Sequence, residues 1–367
     1  MKVAIVHYWL INMRGGEKML EALLEIFPEA DIYTHVYNPK KVSALINSHR
    51  VFTSWVNKLP FAKKIHQLYM PLMPNALMQF NLKQYDLIIS SEAGPAKGVV
   101  PNPNAYHICY CHSPMRYLWD MYHEYFKEAN FFLKFFMKRI TPSLQIWDIC
   151  SANLVDRFVT NSHFSAKRIR RIYNREAEVV YGPASIENFI NIERKPSSYY
   201  LFYGEIRSYK RLDIAIEACL KSGKELVVAG AGAKKSEIKR LKKTGLIRFT
   251  GRISDEETSK LFSEARALIF PGIEDLGLVP IEANAGGCPV IAFRDGGALD
   301  TIKENITGVF FDKQTSASLV EAIQRFEILE ANGGFKNRQL FTDHVRQFSS
   351  ELFKERVSKI IAERKRV

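Results

Sequence analysis

Short runs of apolar and β-branched residues alternate with longer amphipathic stretches along this chain, and no other feature limits its fold so tightly. Strands buried on both faces read as continuous apolar runs, and parallel strands need a crossover between them. In the first half such runs fall at Val3–His7, Asp31–Thr34, Leu87–Ser90, His107–Tyr110 and Arg157–Thr160. In the second they fall at Tyr200–Tyr203, Glu225–Val228, Ile247–Thr250, Ala267–Phe270, Val290–Ala292 and Gly308–Phe311. Helices are expected between them, for example over Arg211–Leu220 and Ser254–Glu264. The second of these opens on Ser254-Asp255-Glu256-Glu257, a capping box. Between Tyr181 and Ser198, Gly182, Pro183, Pro196 and Ser197-Ser198 break the pattern. The 367 residues therefore read as two doubly wound, Rossmann-like α/β domains, over 1–185 and 196–345. A basic helix, about Gln347–Arg364 within 346–367, follows the second sheet and is expected to return toward the first domain. Such folds hold ligands at the carboxyl ends of their strands, so two facing domains put the expected site in an interdomain cleft.

Several classes drop out. No apolar run approaches the roughly 18–20 residues that span a bilayer. The N-terminal run Lys2–Leu10 has one basic residue and no small-residue cleavage site, so it reads as a buried strand rather than a signal peptide. Five scattered cysteines (Cys109, Cys111, Cys150, Cys219, Cys288) suit reduced cytosolic thiols better than a disulfide framework. Cys109-x-Cys111-His112 lacks a second ligand pair at zinc-site spacing, and no metal site is expected. The charge is less ordinary. With 52 Lys+Arg against 39 Asp+Glu, the formal net charge is +13. That excess points to nucleic acid, an anionic membrane surface or a phosphorylated substrate.

Four segments carry candidate chemistry. Gly15-Gly16 lies between the first strand and an apolar helical run, where bare backbone amides can approach a phosphate or sugar; a tight turn explains it equally well. The spacing is not a dinucleotide fingerprint. Cys111-His112-Ser113-Pro114-Met115-Arg116-Tyr117 ends a strand and offers His112 for a sugar hydroxyl or developing charge, although a satisfied histidine under a loop is the plainer reading. The nearby Tyr117, Trp119 and Tyr122 suit a sugar-stacking wall or core packing. Gly204–Arg211 brings Arg207 and Lys210 to a helix start, where cations oppose the macrodipole unless an anion binds between them. Pro271–Ala283 is the strongest of the four. Glu274 and Glu282 flank the Leu276-Gly277-Leu278 turn, whose amides can bind a diphosphate while the carboxylates hold vicinal hydroxyls.

On these residues the chain resembles family-four glycosyltransferases, retaining enzymes of the GT-B fold that use nucleotide sugars. Glu274-x7-Glu282, Gly204…Lys210 and the His112 segment carry the likeness, and Asn161-Ser162, Gly296–Thr301 and Thr307–Phe311 extend it to nearly the whole chain. It is greatest to bacterial mannosyltransferases that build O-antigen and exopolysaccharide repeats on a lipid carrier. The resemblance implies that Glu274 contacts the donor sugar and Glu282 the ribose hydroxyls. The amides of Leu276, Gly277 and Leu278 would support the sugar or distal phosphate, and Lys210 would grip the diphosphate. His112 would face the anomeric region, with Gly15 and Gly16 near the diphosphate and acceptor. Glu205 stands where the family usually has arginine, which leaves Arg207 as the replacement. The implied donor is GDP-mannose, with UDP-hexoses second. No Asp-x-Asp occurs, and a divalent metal is not expected to be required.

No acidic residue lies between Asp31 and Asp86, an interval holding Lys40, Lys41, Arg50, Lys58, Lys63, Lys64 and Lys83 among Trp55, Phe61, Tyr69, Met70, Leu72, Met73, Met78 and Phe80. Phe131, Phe132, Phe135, Phe136 and Met137 are interleaved with Lys134, Lys138 and Arg139. Basic and aromatic residues so mixed suit an interfacial membrane surface, as a lipid-linked acceptor requires; a core helix with a basic edge would give the same composition. The expected setting is cytoplasmic, peripheral to the inner face of the cell membrane. An oligosaccharide acceptor is equally compatible. A nucleic-acid partner is disfavoured because no binding motif is present. The GT-B fold also accommodates a sugar-nucleotide epimerase, and a non-catalytic sugar-binding protein, which Glu205 would favour.

Overall fold

The computed structural model describes residues 1–363, the side chain of Glu237 apart; Arg364, the end of the expected closing helix, lies outside them. The chain divides into two compact units, Met1–Pro183 with the chain from Phe353 onward, and Ala184–Leu352.

The first unit is built on a parallel sheet of β1 (Val3–His7), β2 (Asp31–Thr34), β3 (Val51–Thr53), β4 (Leu87–Glu92), β5 (Tyr106–Cys111), β6 (Arg157–Thr160) and β7 (Ala177–Val179), in the order β3-β2-β1-β4-β5-β6-β7. The second is a parallel sheet of β8 (Tyr200–Tyr203), β9 (Leu226–Ala229), β10 (Ile247–Gly251), β11 (Ala267–Phe270), β12 (Val290–Phe293) and β13 (Gly308–Phe311), ordered β10-β9-β8-β11-β12-β13. Strands expected from apolar runs form at those runs. The sequence pattern did not announce β3 and β7, the two outer strands of the first sheet. Each has three half-buried or exposed residues, too few to show continuity or alternation.

Helices cover the sheets. In the first unit α1 (Gly15–Ile26) buries Met19, Leu20, Leu23 and Leu24, α2 is Tyr122–Glu128, α3 is Phe131–Ser151 and α4 is His163–Tyr173. In the second, α5 is Leu212–Ser222, α6 is Asp255–Glu264, α7 is Leu278–Ala285 and α8 is Ser316–Ala331. The α6 capping box forms as read. Ser254 Oγ accepts from Glu257 N at 3.2 Å, and Glu257 Oε2 accepts from Ser254 N at 2.8 Å. Last comes α9 (Ser350–Ala362), whose Phe353, Val357, Ile360 and Ile361 join the core of the first unit with Leu20, Leu23 and Ile108. Their spacing makes a single helical stripe.

In each sheet the strand order reverses once, between β1 and β4 and between β8 and β11. Ligands of open α/β sheets gather at the carboxyl ends of the strands beside such reversals. Among the described residues, no helix is long and apolar enough to cross a membrane.

Candidate active site

The second unit brings the expected donor residues together. Past the end of β8, Gly204 has φ +124°, and a Cβ there would lie 3.0 Å from Lys210 Nζ. The turn carrying Lys210 rests on Gly272, where a Cβ would come within 2.7 Å of the Lys210 Cα. Glycine at both places lets the β8 and β11 ends approach. Lys210 Nζ then lies 2.9 Å from Glu274 Oε1, with both side chains largely buried. Burial alone would depress the Lys210 ammonium, but the Glu274 carboxylate outweighs it and holds the group above its ordinary value.

Gly296-Gly297 fixes the loop that carries Glu274. Gly297 N donates to Glu274 O at 2.8 Å, and a Cβ on Gly297 would sit 2.4 Å from the Leu276 Cα. Gly277, at φ +83°, then turns the chain into α7, which Leu278 starts. The amides of Leu276, Gly277 and Leu278 thus lie at a helix N-terminus, a natural place for a phosphate or sugar oxygen. Glu282 follows one turn later. Burial, with a smaller contribution from Asp255, pushes its carboxyl up to about 7. Arg207 is engaged differently from Lys210. Its guanidinium donates to Glu205 Oε1 at 2.5 Å in an exposed ion pair.

The first unit holds the remaining candidates. His112 follows β5, and its N–H donates to Glu92 O at the end of β4 at 2.8 Å. Its Nε2 lies 3.1 Å from Ser91 Oγ. Burial first, and His7 second, lower the His112 imidazole to about 3, so it is neutral near neutral pH. The backbone around it is tied down. Ser165 Oγ donates to His112 O at 3.1 Å, and Arg168 Nη1 donates to Ser113 Oγ at 2.6 Å. Ser162 caps α4 by accepting from Ser165 N, which gives the Asn161-Ser162 pair a structural part in holding this segment. Gly15 begins α1. A Cβ on Gly16 would lie 2.5 Å from the Tyr8 hydroxyl, so the bare backbone is a steric requirement there.

Trp119 is not a free sugar wall. Its Nε1 donates to Asp148 Oδ2 at 2.7 Å, and the ring packs with Met115, Leu118 and Leu144. Asp148 belongs to a buried network that the sequence did not reveal, in which Lys97 pairs with both Glu92 and Asp148. Ser91, His7 and Glu17, all buried around His112 and α1, were missed as well. Their partnership depends on β1 and β4 being neighbours, which no local spacing encodes. Cys109 and Cys111 pack in a core cluster with Ala152, Val155 and Phe158.

Residues 185–346 match the family model described as "Glycosyl transferases group 1". Over those residues, somewhat under half of the chain, the protein is similar to that family. Over 133 residues it is 30% identical to the O-antigen chain mannosyltransferase C of Escherichia coli, covering 34% of this chain and 36% of that protein. It is 24% identical over 266 residues to the human alpha-1,3/1,6-mannosyltransferase ALG2, covering 62% of this chain and 63% of that one. The aligned regions thus span from about a third to under two thirds of these relatives. The structure of Anabaena HepE, solved with UDP, superposes with a TM-score of 0.70 at 14% identity, covering 99% of this chain and 100% of that one. The fold is GT-B, as the sequence led us to expect.

Proposed function

We propose that this protein transfers a hexose from a nucleotide sugar to a hydroxyl acceptor with retention of anomeric configuration. The observation that carries this reading is the Lys210–Glu274 pair at the carboxyl ends of β8 and β11, with Glu282 one loop and one helical turn beyond. A cation and two carboxylates so arranged match the three parts of a nucleotide sugar. Lys210 meets the diphosphate, Glu274 the sugar hydroxyls and Glu282 the ribose diol, while the Leu276–Leu278 amides support the distal phosphate. The bond from the anomeric carbon to the distal phosphate oxygen breaks, and the acceptor oxygen bonds to that carbon on the same face. The acceptor proton passes to the departing phosphate, whose growing charge Lys210 stabilises. We further assign His112 to the donor sugar and the Gly15-Gly16 backbone to the diphosphate or acceptor.

GDP-mannose is the first-choice donor, on the likeness to two mannosyltransferases; UDP-hexoses are second, since HepE was solved with UDP. In this reading no divalent metal is required, and EDTA leaves turnover unchanged. A thermal-shift panel of GDP, UDP, ADP and their sugars identifies the donor, because a bound ligand stabilises the folded state by mass action. Turnover of that donor, with the product's anomeric configuration read by NMR, then tests transfer and retention. The Glu205–Arg207 pair favours one other reading, a sugar-nucleotide-binding protein without turnover. Donor binding with no transfer to any lipid-linked or oligosaccharide acceptor would select it.

The acceptor is proposed to be lipid-linked and met at the anionic inner face of the cell membrane. Phe131 (80% exposed) and Phe132 (75%), with Phe135 and Phe136, stand in solvent on α3 beside Lys138 and Arg139. In the acid-free interval Phe61 (73%), Leu68, Leu72 and Met78 are exposed near Lys63 and Lys64, whereas Met73 and Phe80 are core. Met70 and Ile140 both pack against the cluster of Met115, Leu118 and Leu144. Exposed aromatics among lysines suit anionic headgroups over an acyl boundary.

A further inference from the structure

We infer that Glu17, His7 and Ser91 act as a chain of positioning residues that fixes the tautomer of His112, so that its Nδ1 offers a lone pair to a substrate hydroxyl. The inference rests on the glycosyl-transfer reading for its substrate, but not for its geometry.

Sheet order creates the chain. The β1–β4 register sets His7 directly opposite Ser91, and the β4–β5 register sets Glu92 opposite Cys111, which delivers His112 beside Ser91. Ser91 Oγ then lies 2.9 Å from His7 Nδ1 and 3.1 Å from His112 Nε2. Both Ser91 and His7 are fully buried. A hydroxyl has one hydrogen, so it donates to one ring nitrogen and must accept from the other. Only two polarities are open.

Glu17 chooses between them. Its carboxylate is buried, with Oε2 accepting from Arg14 N at 2.8 Å and Oε1 standing 3.7 Å from His7 Nε2. That separation is longer than a hydrogen bond, yet a carboxylate facing a ring nitrogen in a dry setting favours a proton there. A neutral His7 then carries its proton on Nε2 and is bare on Nδ1. Ser91 donates to that Nδ1, and its oxygen accepts from His112 Nε2–H. The lone pair of His112 is left on Nδ1. For a neutral His7, the reverse polarity would turn a bare nitrogen toward the Glu17 carboxylate. Because His112 is neutral near neutral pH, its tautomer decides whether its outer nitrogen accepts or donates. An acceptor suits a sugar hydroxyl; it cannot donate to a leaving phosphate.

The test is long-range proton–nitrogen correlation NMR on the full chain with 15N-labelled histidine, without ligand, with signals assigned from His7→Gln and His112→Gln. We expect both His7 and His112 as Nε2–H tautomers. Finding His112 with its proton on Nδ1, or as a mixture, overturns the chain. Ser91→Ala should turn His112 into a mixture and lower kcat about 10–100-fold, with donor KM within about twofold. Ser91→Thr, which keeps the hydroxyl, should restore both. An unchanged His112 tautomer in Ser91→Ala also overturns the chain. Expected tautomers without turnover of any nucleotide sugar would instead refute the glycosyl-transfer reading and leave the chain standing.

Discussion

Replacing Glu282 by glutamine should make the protein more stable above neutrality and worse at holding its donor. Burial and Asp255 move this carboxyl from 4.5 to about 7, so the fold favours its protonated form. At about 1.4 kcal/mol per pKa unit, the ionised form is held at a cost of about 3 kcal/mol. The sign follows from proton uptake. Between 4.5 and about 7 the folded chain binds more protons than the unfolded one at this site, so stability falls as pH rises through that window. The cost is nearly absent below 4.5 and complete above about 7. Glutamine keeps the shape without the charge, although its amide also loses water. We therefore expect Glu282→Gln to gain about 1–3 kcal/mol at pH 8 and little at pH 4.5, as measured by urea unfolding of the second unit's transition. Asp255→Asn should recover a smaller part of the same gain. Binding should move oppositely. Sugar nucleotides have no phosphate titrating near neutrality, so wild-type affinity should weaken below pH 7 as Glu282 protonates, while the variant is weak and flat with pH. Equal stability differences at pH 4.5 and pH 8 would refute the reasoning, whatever the binding shows.

Lys210→Met should weaken binding of the donor diphosphate by about 10–100-fold in calorimetry, since charge-assisted hydrogen bonds are worth about 1.5–3 kcal/mol; unchanged affinity would remove Lys210 from the site. Lys97→Met leaves Glu92 and Asp148 buried without their cation, and should cost about 3–5 kcal/mol in urea unfolding. Burial already raises the Glu92 carboxyl, so that loss should shrink as pH falls and Glu92 protonates; a loss independent of pH contradicts the account. Gly297→Ala should displace the Glu274–Gly277 loop and reduce sugar-nucleotide affinity while sparing the His112 NMR signals of the first unit. Changing Phe131, Phe132, Phe135 and Phe136 together to serine should abolish co-sedimentation with anionic vesicles, and wild-type binding should weaken with salt. Equal partitioning of the wild type onto neutral vesicles would defeat the electrostatic part.

The inner strands and the α6 cap were legible because their signals are local: an apolar run, or a serine three residues before a glutamate. The second-unit site was legible for a related reason. Lys210, Glu274 and Glu282 all follow strand ends in sequence, and a doubly wound sheet gathers strand ends in space. Two kinds of information were hidden. The outer strands Val51–Thr53 and Ala177–Val179 owe their form to a neighbour that supplies hydrogen bonds. The Ser91–His112 contact joins residues 21 positions apart, and His7–Ser91 residues 84 apart, so each exists only after the sheet order is set. The phenylalanines of α3 show a further limit. Composition allowed a core stripe or a surface, and only the packed structure leaves them in solvent.

The stripe on α9 has a consequence for the order in which the protein is made. Phe353, Val357, Ile360 and Ile361 complete a core whose other members lie before residue 184. The second unit is continuous in sequence, so a ribosome can release it ready to fold. The first unit must wait with part of its core open until residues 353–361 have emerged. The half synthesised first is therefore finished last, and during that interval it is the half exposed to proteases and to chaperones that bind apolar surface.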